Sequence, residues 1–308
     1  MDAAPSPWQI ALARIEGALP FLSPELAEVL AMRSLRRLWA VHVRDFPFDG
    51  MGLEHNPGIN AAELMRSWYA DERRDFLSWI ARKGPPPLAA AAREAMAAKG
   101  LTERFTAAYD DAEIALTRLD ALLPSSDSAA TIMHLVEQLR SEEVAFLEGG
   151  TEVHAFEGRV FDRAPPKGAA WAASLALAVR PQLFALGAAQ LALAGLAPRM
   201  VFRAEPDAPL PALLREALQA SVGDLLSDLE ASRRRLWLGE ERLASLYASS
   251  RARDAWRLVI GLGPLTRAEI ARGLGVTKRT ASQAAAALVE AKLITVRQGD
   301  AALVASVP

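Results

Sequence analysis

The chain of 308 residues contains no cysteine. Disulfides and thiolate metal sites are therefore excluded, and the lack fits a reducing cytoplasmic setting. Aromatic residues are scarce, at 6%, while Ala and Leu dominate, a balance that favours helix over sheet. The N-terminal run MDAAPSPWQI has no basic segment followed by an apolar core, so no secretory signal is expected. A clean membrane span is also lacking. The most apolar stretch, Trp171 to Leu196, is split by Arg180-Pro181 and carries Gln182 and Gln190. It reads as two buried helices, with no membrane partner, because proline lacks the N–H and its ring clashes with the preceding turn. What remains is a composition of 51% hydrophobic and 23% charged residues, that of a globular chain long enough for two domains.

The net charge of −2 hides an asymmetry. Residues 251–308 hold nine Lys and Arg against four Asp and Glu, a local +5, which leaves −7 for residues 1–250. A basic C-terminal module on an acidic body suits a reader of nucleic acid, whose phosphates supply most non-specific affinity.

Residues 8–44 read as two helices, the second opened by Ser23-Pro24-Glu25 and decorated with Arg33, Arg36, Arg37 and Arg44, a set expected on a solvated face. Residues 45–60 form a long Gly/Pro/Asn/Asp loop. Its Asp49-Gly50 and Gly52 resemble part of the Fic-type AMP-transferase motif. Asp45 stands where that family has its catalytic His, and Met51 and Leu53 replace the Asn and Arg, so no nucleotide transfer is expected. His42 and His55 with Asp45, Asp49 and Glu54 match no standard metal spacing, and surface histidines are the plainer reading. Helices are expected over 61–82, where Trp68 and Trp79 share a face, and over 88–98, 101–123 and 131–147. His134 is read as a surface residue. A small hairpin is expected over 151–163. From Leu210 to Tyr247 a long helix carries Leu218, Val222, Leu225, Leu229, Ser232, Leu236 and Leu243 at four-three spacing. That is a seam for a homodimer or for packing on the body of the same chain.

The C-terminal stretch carries the sharpest signals. Thr266 followed by Glu269 is a capping box. Ala268, Ile270, Ala271 and Leu274 continue at helical spacing until Gly275. Thr277 N-caps a second helix from Lys278 to about Ala291. Two β-type runs, 294–298 and 301–305, flank Gly299-Asp300 as a hairpin. This order of helix, tight turn, helix and hairpin resembles the DNA-binding part of MarR-type and related winged-helix regulators. Leu274-Gly275-Val276-Thr277 and Ala291-Lys292-Leu293-Ile294 carry the resemblance. Lys292 replaces the usual Gly, which predicts a less sharp helix end.

The expected architecture is mainly α: a helical body over 1–209 serving as an effector-binding or interaction region, a connecting or dimerisation helix over 210–250, and a winged helix-turn-helix over 251–308. The resemblance implies a transcriptional regulator that reads double-stranded DNA, with a homodimer and a small-molecule or protein effector as further partners. The second helix of such motifs enters the major groove, which puts Thr277, Lys278, Arg279, Thr280, Ser282 and Gln283 at the DNA. Arg279 suits guanine and Gln283 adenine, while Lys278 suits a phosphate. Arg297 and Gln298, near the hairpin tip, would reach the minor groove or backbone. Other readings are a protein-interaction module, a plasmid or chromosome maintenance factor, and an enzyme in the body. For an enzyme there is no nucleophile–base pair, phosphate loop, metal signature or cofactor motif.

Overall fold

The computed structural model describes residues 6–45, 61–103, 109–148, 152–156, 159–163, 168–184, 191–247 and 250–306. The body begins with α1 (Pro7–Ala18), α2 (Pro24–Asp45), α3 (Ala61–Lys83), α4 (Pro86–Lys99), α5 (Asp110–Ala121) and α6 (Ser128–Glu142). An antiparallel hairpin follows, β1 (Glu152–Phe156) with β2 (Arg159–Arg163), in the register Glu152↔Arg163 to Phe156↔Arg159. Then come α7 (Ala170–Ala178) and the long α8 (Leu210–Arg242). The C-terminal unit is α9 (Ala252–Leu262), α10 (Arg267–Gly273), α11 (Lys278–Glu290), β3 (Ile294–Val296) and β4 (Leu303–Ala305). The protein is mainly helical, and among the described residues no helix is long and apolar enough to cross a membrane.

One hydrophobic core runs from Ile15 in α1 to Leu303 in β4. At its centre lies α2, packed on α4, α7, α8 and α9. Leu26, Val29, Leu30, Leu35 and Leu38 of α2 are buried there. All nine residues of α7 are buried. A helix apolar on every side has to be enclosed, which explains why α7 is sandwiched between α2 and α5.

Several expectations change. The helix expected over 101–123 starts only at Asp110 in the described residues, and Leu101–Glu103 is not helical. Gly100 ends α4 in the left-handed conformation at φ 69°. Asp110, Asp111 and Glu113 then form an acidic first turn that suits the positive end of the helix dipole. The helix expected over 131–147 begins earlier, at Ser128, and ends at Glu142. Asp127 caps it by accepting from the Ala130 N–H at 3.0 Å. No second helix covers the described end of the apolar stretch. Leu191, Ala192, Leu193 and Leu196 are buried in irregular chain. There Ser221 Oγ donates to the Ala194 carbonyl at 2.6 Å and Ser174 Oγ to the Ala197 carbonyl at 2.9 Å. These bonds satisfy carbonyls that helix would otherwise pair. Gln190, His55, Asp49, Met51, Leu53, Glu54 and Phe105 lie outside the described residues, as does the side chain of Trp68.

Of the two readings of the leucine seam, the structure shows packing on the body of the same chain. Leu218, Val222, Leu225, Leu229 and Ser232 of α8 are all buried within this one chain, where α8 packs on α1, α2, α6 and α9. The four-three spacing therefore serves the protein's own core and leaves no stripe for a second copy. The two glycines of this helix behave oppositely. A β-carbon on Gly223 meets nothing within 4 Å, whereas one on Gly239 would lie 2.4 Å from Cδ1 and Nε1 of Trp256. That indole is fixed because its Nε1–H donates to the Arg235 carbonyl at 3.0 Å. Gly223→Ala is expected to stabilise the fold by up to about 1 kcal/mol through helix propensity. Gly239→Ala is expected to destabilise it by about 1–3 kcal/mol through overpacking. Urea melts of the two variants check the opposite signs.

The arginines of α2 are likewise not a merely solvated face. Arg33 Nε donates to Asp228 Oδ1 at 2.8 Å, Arg37 donates to Asp228 Oδ2, and the Asp228 side chain is 4% exposed. Burial alone would raise the Asp228 pKa, but the hydrogen bonds from Arg37 and Arg33 outweigh it and hold the carboxyl below its usual range.

Candidate nucleic-acid interface

The C-terminal unit is built from local signals that the structure places in sequence. Thr266 Oγ1 accepts from the Glu269 N–H at 3.3 Å, and Glu269 Oε2 accepts from the Thr266 N–H at 2.8 Å, closing the capping box of α10. Glu269 Oε1 also takes Lys99 Nζ at 2.6 Å, and Arg272 Nε donates to the Ala98 carbonyl at 2.9 Å. These two contacts tie α10 to the end of α4. Gly275 sits at φ 61°, which glycine adopts without a Cβ penalty, and the Val276 N–H returns to the Ala271 carbonyl at 2.9 Å. Thr277 then caps α11 by accepting from the Thr280 N–H at 3.2 Å.

Helix α11 divides cleanly into two faces. Ala281, Ala284, Ala285 and Leu288 are buried against α9 and α10. The small alanines allow the close approach. Thr277, Lys278, Arg279, Ser282 and Gln283 are exposed, and Thr280 is half-buried with its hydroxyl 3.0 Å from that of Thr277. Five of the six expected residues are thus open to solvent, while Thr280 turns partly back to the cap. Neither Lys278 nor Arg279 has an acidic partner among the described residues.

The helix end at Lys292 is sharper than its sequence suggests. Lys292 itself adopts the left-handed conformation at φ 55°. Its N–H bonds the Val289 carbonyl at 2.9 Å, and the Leu293 N–H bonds that of Leu288 at 2.9 Å. Arg242, at the end of α8, donates to the Ala291 and Lys292 carbonyls at 3.2 and 3.0 Å, where a cation complements the helix dipole. Sequence reasoning misses Arg242, because nothing local to it signals a helix end 49 residues away.

Beyond it, β3 and β4 pair as Ile294↔Ala305, Thr295↔Val304 and Val296↔Leu303, and Leu265 makes an antiparallel bridge to Leu303. Arg297 and Gln298 are exposed at the tip. Arg297, however, is held by Asp300, with Nε 3.0 Å from Oδ1. Its guanidinium and the Ala302 N–H hold the Asp300 carboxyl down at about 2. At neutral pH the tip pair is therefore close to neutral, and Arg297 contributes less net charge to a partner than the sequence implies.

A second polar cluster lies in the body, where the sequence predicts a surface histidine. His42 is buried, with Nε2 2.7 Å from Glu72 Oε1 and 3.2 Å from the Tyr109 hydroxyl, and Tyr109 also donates to Glu72. Phe76 and Trp171 close over the imidazole. Burial lowers the His42 pKa, against the opposing pull of Glu72 and Asp45. Asp45 is buried too and pairs with Arg44 at 2.8 Å. No group of metal-ligating residues occurs among the described residues. A neutral His42 binds its proton more readily when unfolded. Its contribution to stability is thus present above its ordinary value of 6.5 and is lost as pH falls below it. Imidazole nitrogen shifts followed through a pH titration are expected to show His42 taking up its proton at lower pH than an unperturbed histidine. Protonation at or above the ordinary histidine pH would overturn the assignment.

No protein-family model, no curated protein and no solved structure matches the chain.

Proposed function

We propose that this protein binds double-stranded DNA through α11 and works as a cytoplasmic transcriptional regulator. In this reading the last fifth of the chain is a winged helix-turn-helix of the MarR-like kind and the helical body is its regulatory partner, not an enzyme. The observation that carries the reading is the exposed face of α11, where Lys278 and Arg279 stand without acidic partners beside Ser282 and Gln283. Arginine and glutamine have the bidentate geometry that reads guanine and adenine edges in the major groove. The Leu265–Leu303 bridge beside the β3–β4 hairpin and the local +5 charge support it further. In this arrangement Lys278 and Arg279 make the leading contacts. Thr277, Thr280, Ser282 and Gln283 supply backbone and base-edge bonds, and Gln298 with the Asp300-paired Arg297 gives a secondary contact at the hairpin.

Selection of bound duplexes from random DNA tests the proposal. Recovery of a defined motif supports it, and a palindromic one adds a second copy through a surface other than the buried α8 seam. Absence of enrichment at low salt overturns it.

A further inference from the structure

The cleft between α2 and α8 holds more positive charge than the protein neutralises. Arg33, Arg36, Arg37 and Ala40 of α2 line it together with Asp228 of α8, around a cavity of about 300 Å³. Positions 33, 36, 37 and 40 fall on one side of α2. On α8, Arg235 lies two turns beyond Asp228 on the same side, outside the lining itself but near enough for its charge to act on Arg36 and Arg33. Both oxygens of Asp228 are taken, one by Arg33 and one by Arg37, and Arg37 also meets the exposed Asp224 at 2.8 Å. Two carboxylates thus serve four guanidiniums, and Arg36 and Arg235 are left without an acidic partner among the described residues. Arg36 is also pinned in place. Its guanidinium lies over Gly263, where a β-carbon would fall 2.7 Å from Cζ, and Gly263 has φ +89°.

We infer that this cleft is a binding site for a small phosphorylated or otherwise multiply anionic metabolite, held by Arg36 with Arg33 and Arg37 in its lining and drawn in by the charge of Arg235 beside it. Guanidiniums present paired N–H donors that match a phosphoryl or carboxylate group, and a partly desolvated pair of them gains most from an incoming anion. Arg36 is exposed and Arg235 half-buried, so each carries part of that penalty. Burial lowers the pKa of Arg36 and then of Arg235, and the neighbouring Arg33 lowers both further. The cavity is at the small end of ligand sites, which fits a compact anion and not a dinucleotide. All its lining residues belong to α2 and α8, with none from α10, α11 or the β3–β4 hairpin. The site therefore stands whether or not the protein reads DNA. Its bearing on regulation does rest on that reading: Gly263, under Arg36, ends α9 just before α10, so an anion there touches the joint of the DNA-reading unit.

Inorganic pyrophosphate is the probe. Calorimetric titration of the full chain at low salt is expected to show saturable one-site binding with a Kd near or below about 1 mM. Arg36→Gln and Arg235→Gln are each expected to weaken it at least about tenfold, with helical circular dichroism unchanged. Arg203→Gln, whose partner Asp207 is elsewhere, leaves it unaltered. If Arg36→Gln fails to fold, Arg235→Gln carries the test alone. No saturable binding by the wild type, or undiminished binding by the folded variants, overturns the site. Displacement of pyrophosphate by non-specific duplex DNA overturns the metabolite assignment and makes the cleft a contact for the DNA backbone. Weakened duplex binding in Lys278→Ala with pyrophosphate binding kept separates this site from α11.

Discussion

Leu225→Ala is expected to lower the free energy of unfolding by about 2–5 kcal/mol without changing the mass of the particle in solution. The leucine is 3% exposed in the middle of α8, between helices of its own chain, so the truncation leaves a cavity in the central core. Against a typical total of about 5–15 kcal/mol, that is a large share of the stability. Leu229, 7% exposed one turn on, is expected to behave alike, and a charged residue at either position should prevent folding. Urea unfolding followed by circular dichroism, beside light scattering of the native protein, provides the check. A loss below about 0.5 kcal/mol, the range of ordinary surface substitutions, together with a fall in native mass would restore the seam to an interface between copies.

On DNA, Arg279→Ala is expected to cost about 1–3 kcal/mol and to relax the preference at one base position. Lys278→Ala is expected to weaken all sequences alike and to lower the slope of log affinity against log salt by about one. The two residues are adjacent in the first turn of α11, so their side chains point about 100° apart and meet different parts of a groove. Both are exposed and outside the buried stripe of Ala281, Ala284, Ala285 and Leu288, so the fold is expected to be unchanged. Salt titrations on a selected and a scrambled duplex, with wild type and both variants, give the comparison. Unaltered affinity in both folded variants would take α11 out of the DNA interface and favour docking of a partner protein instead. Arg297→Ala should matter less, because its charge is already met by Asp300.

Local chemistry is legible in the sequence alone. The Thr266–Glu269 capping box, the left-handed Gly275 and the Thr277 cap each involve residues three or so apart, and all three form as the sequence predicts. The split of the apolar stretch at Pro181 and the hairpin over 152–163 are of the same kind, since a ring clash or a turn depends only on neighbours. The exposed and buried faces of α11 also follow from helical periodicity alone. By contrast, Lys292 departs from expectation because glycine preference is statistical. A surrounding fold that supplies Arg242 and a packed Leu293 can hold a non-glycine residue in the left-handed region.

Tertiary structure decided everything that depends on distant partners. Four-three leucine spacing says only that one face of α8 is apolar; that α1, α2 and α6 of the same chain cover it is a matter of packing. Arg33 meets Asp228 across 195 residues, and His42 meets Glu72 and Tyr109 across 30 and 67. Periodicity carries no signal for such pairings, so in sequence α2 reads as a solvated basic face and His42 as a surface residue. The irregular course of 191–196 has the same origin. Its carbonyls at 194 and 197 are satisfied by serines of α8 and α7, and that long-range exchange overrides the helical preference of an alanine- and leucine-rich segment.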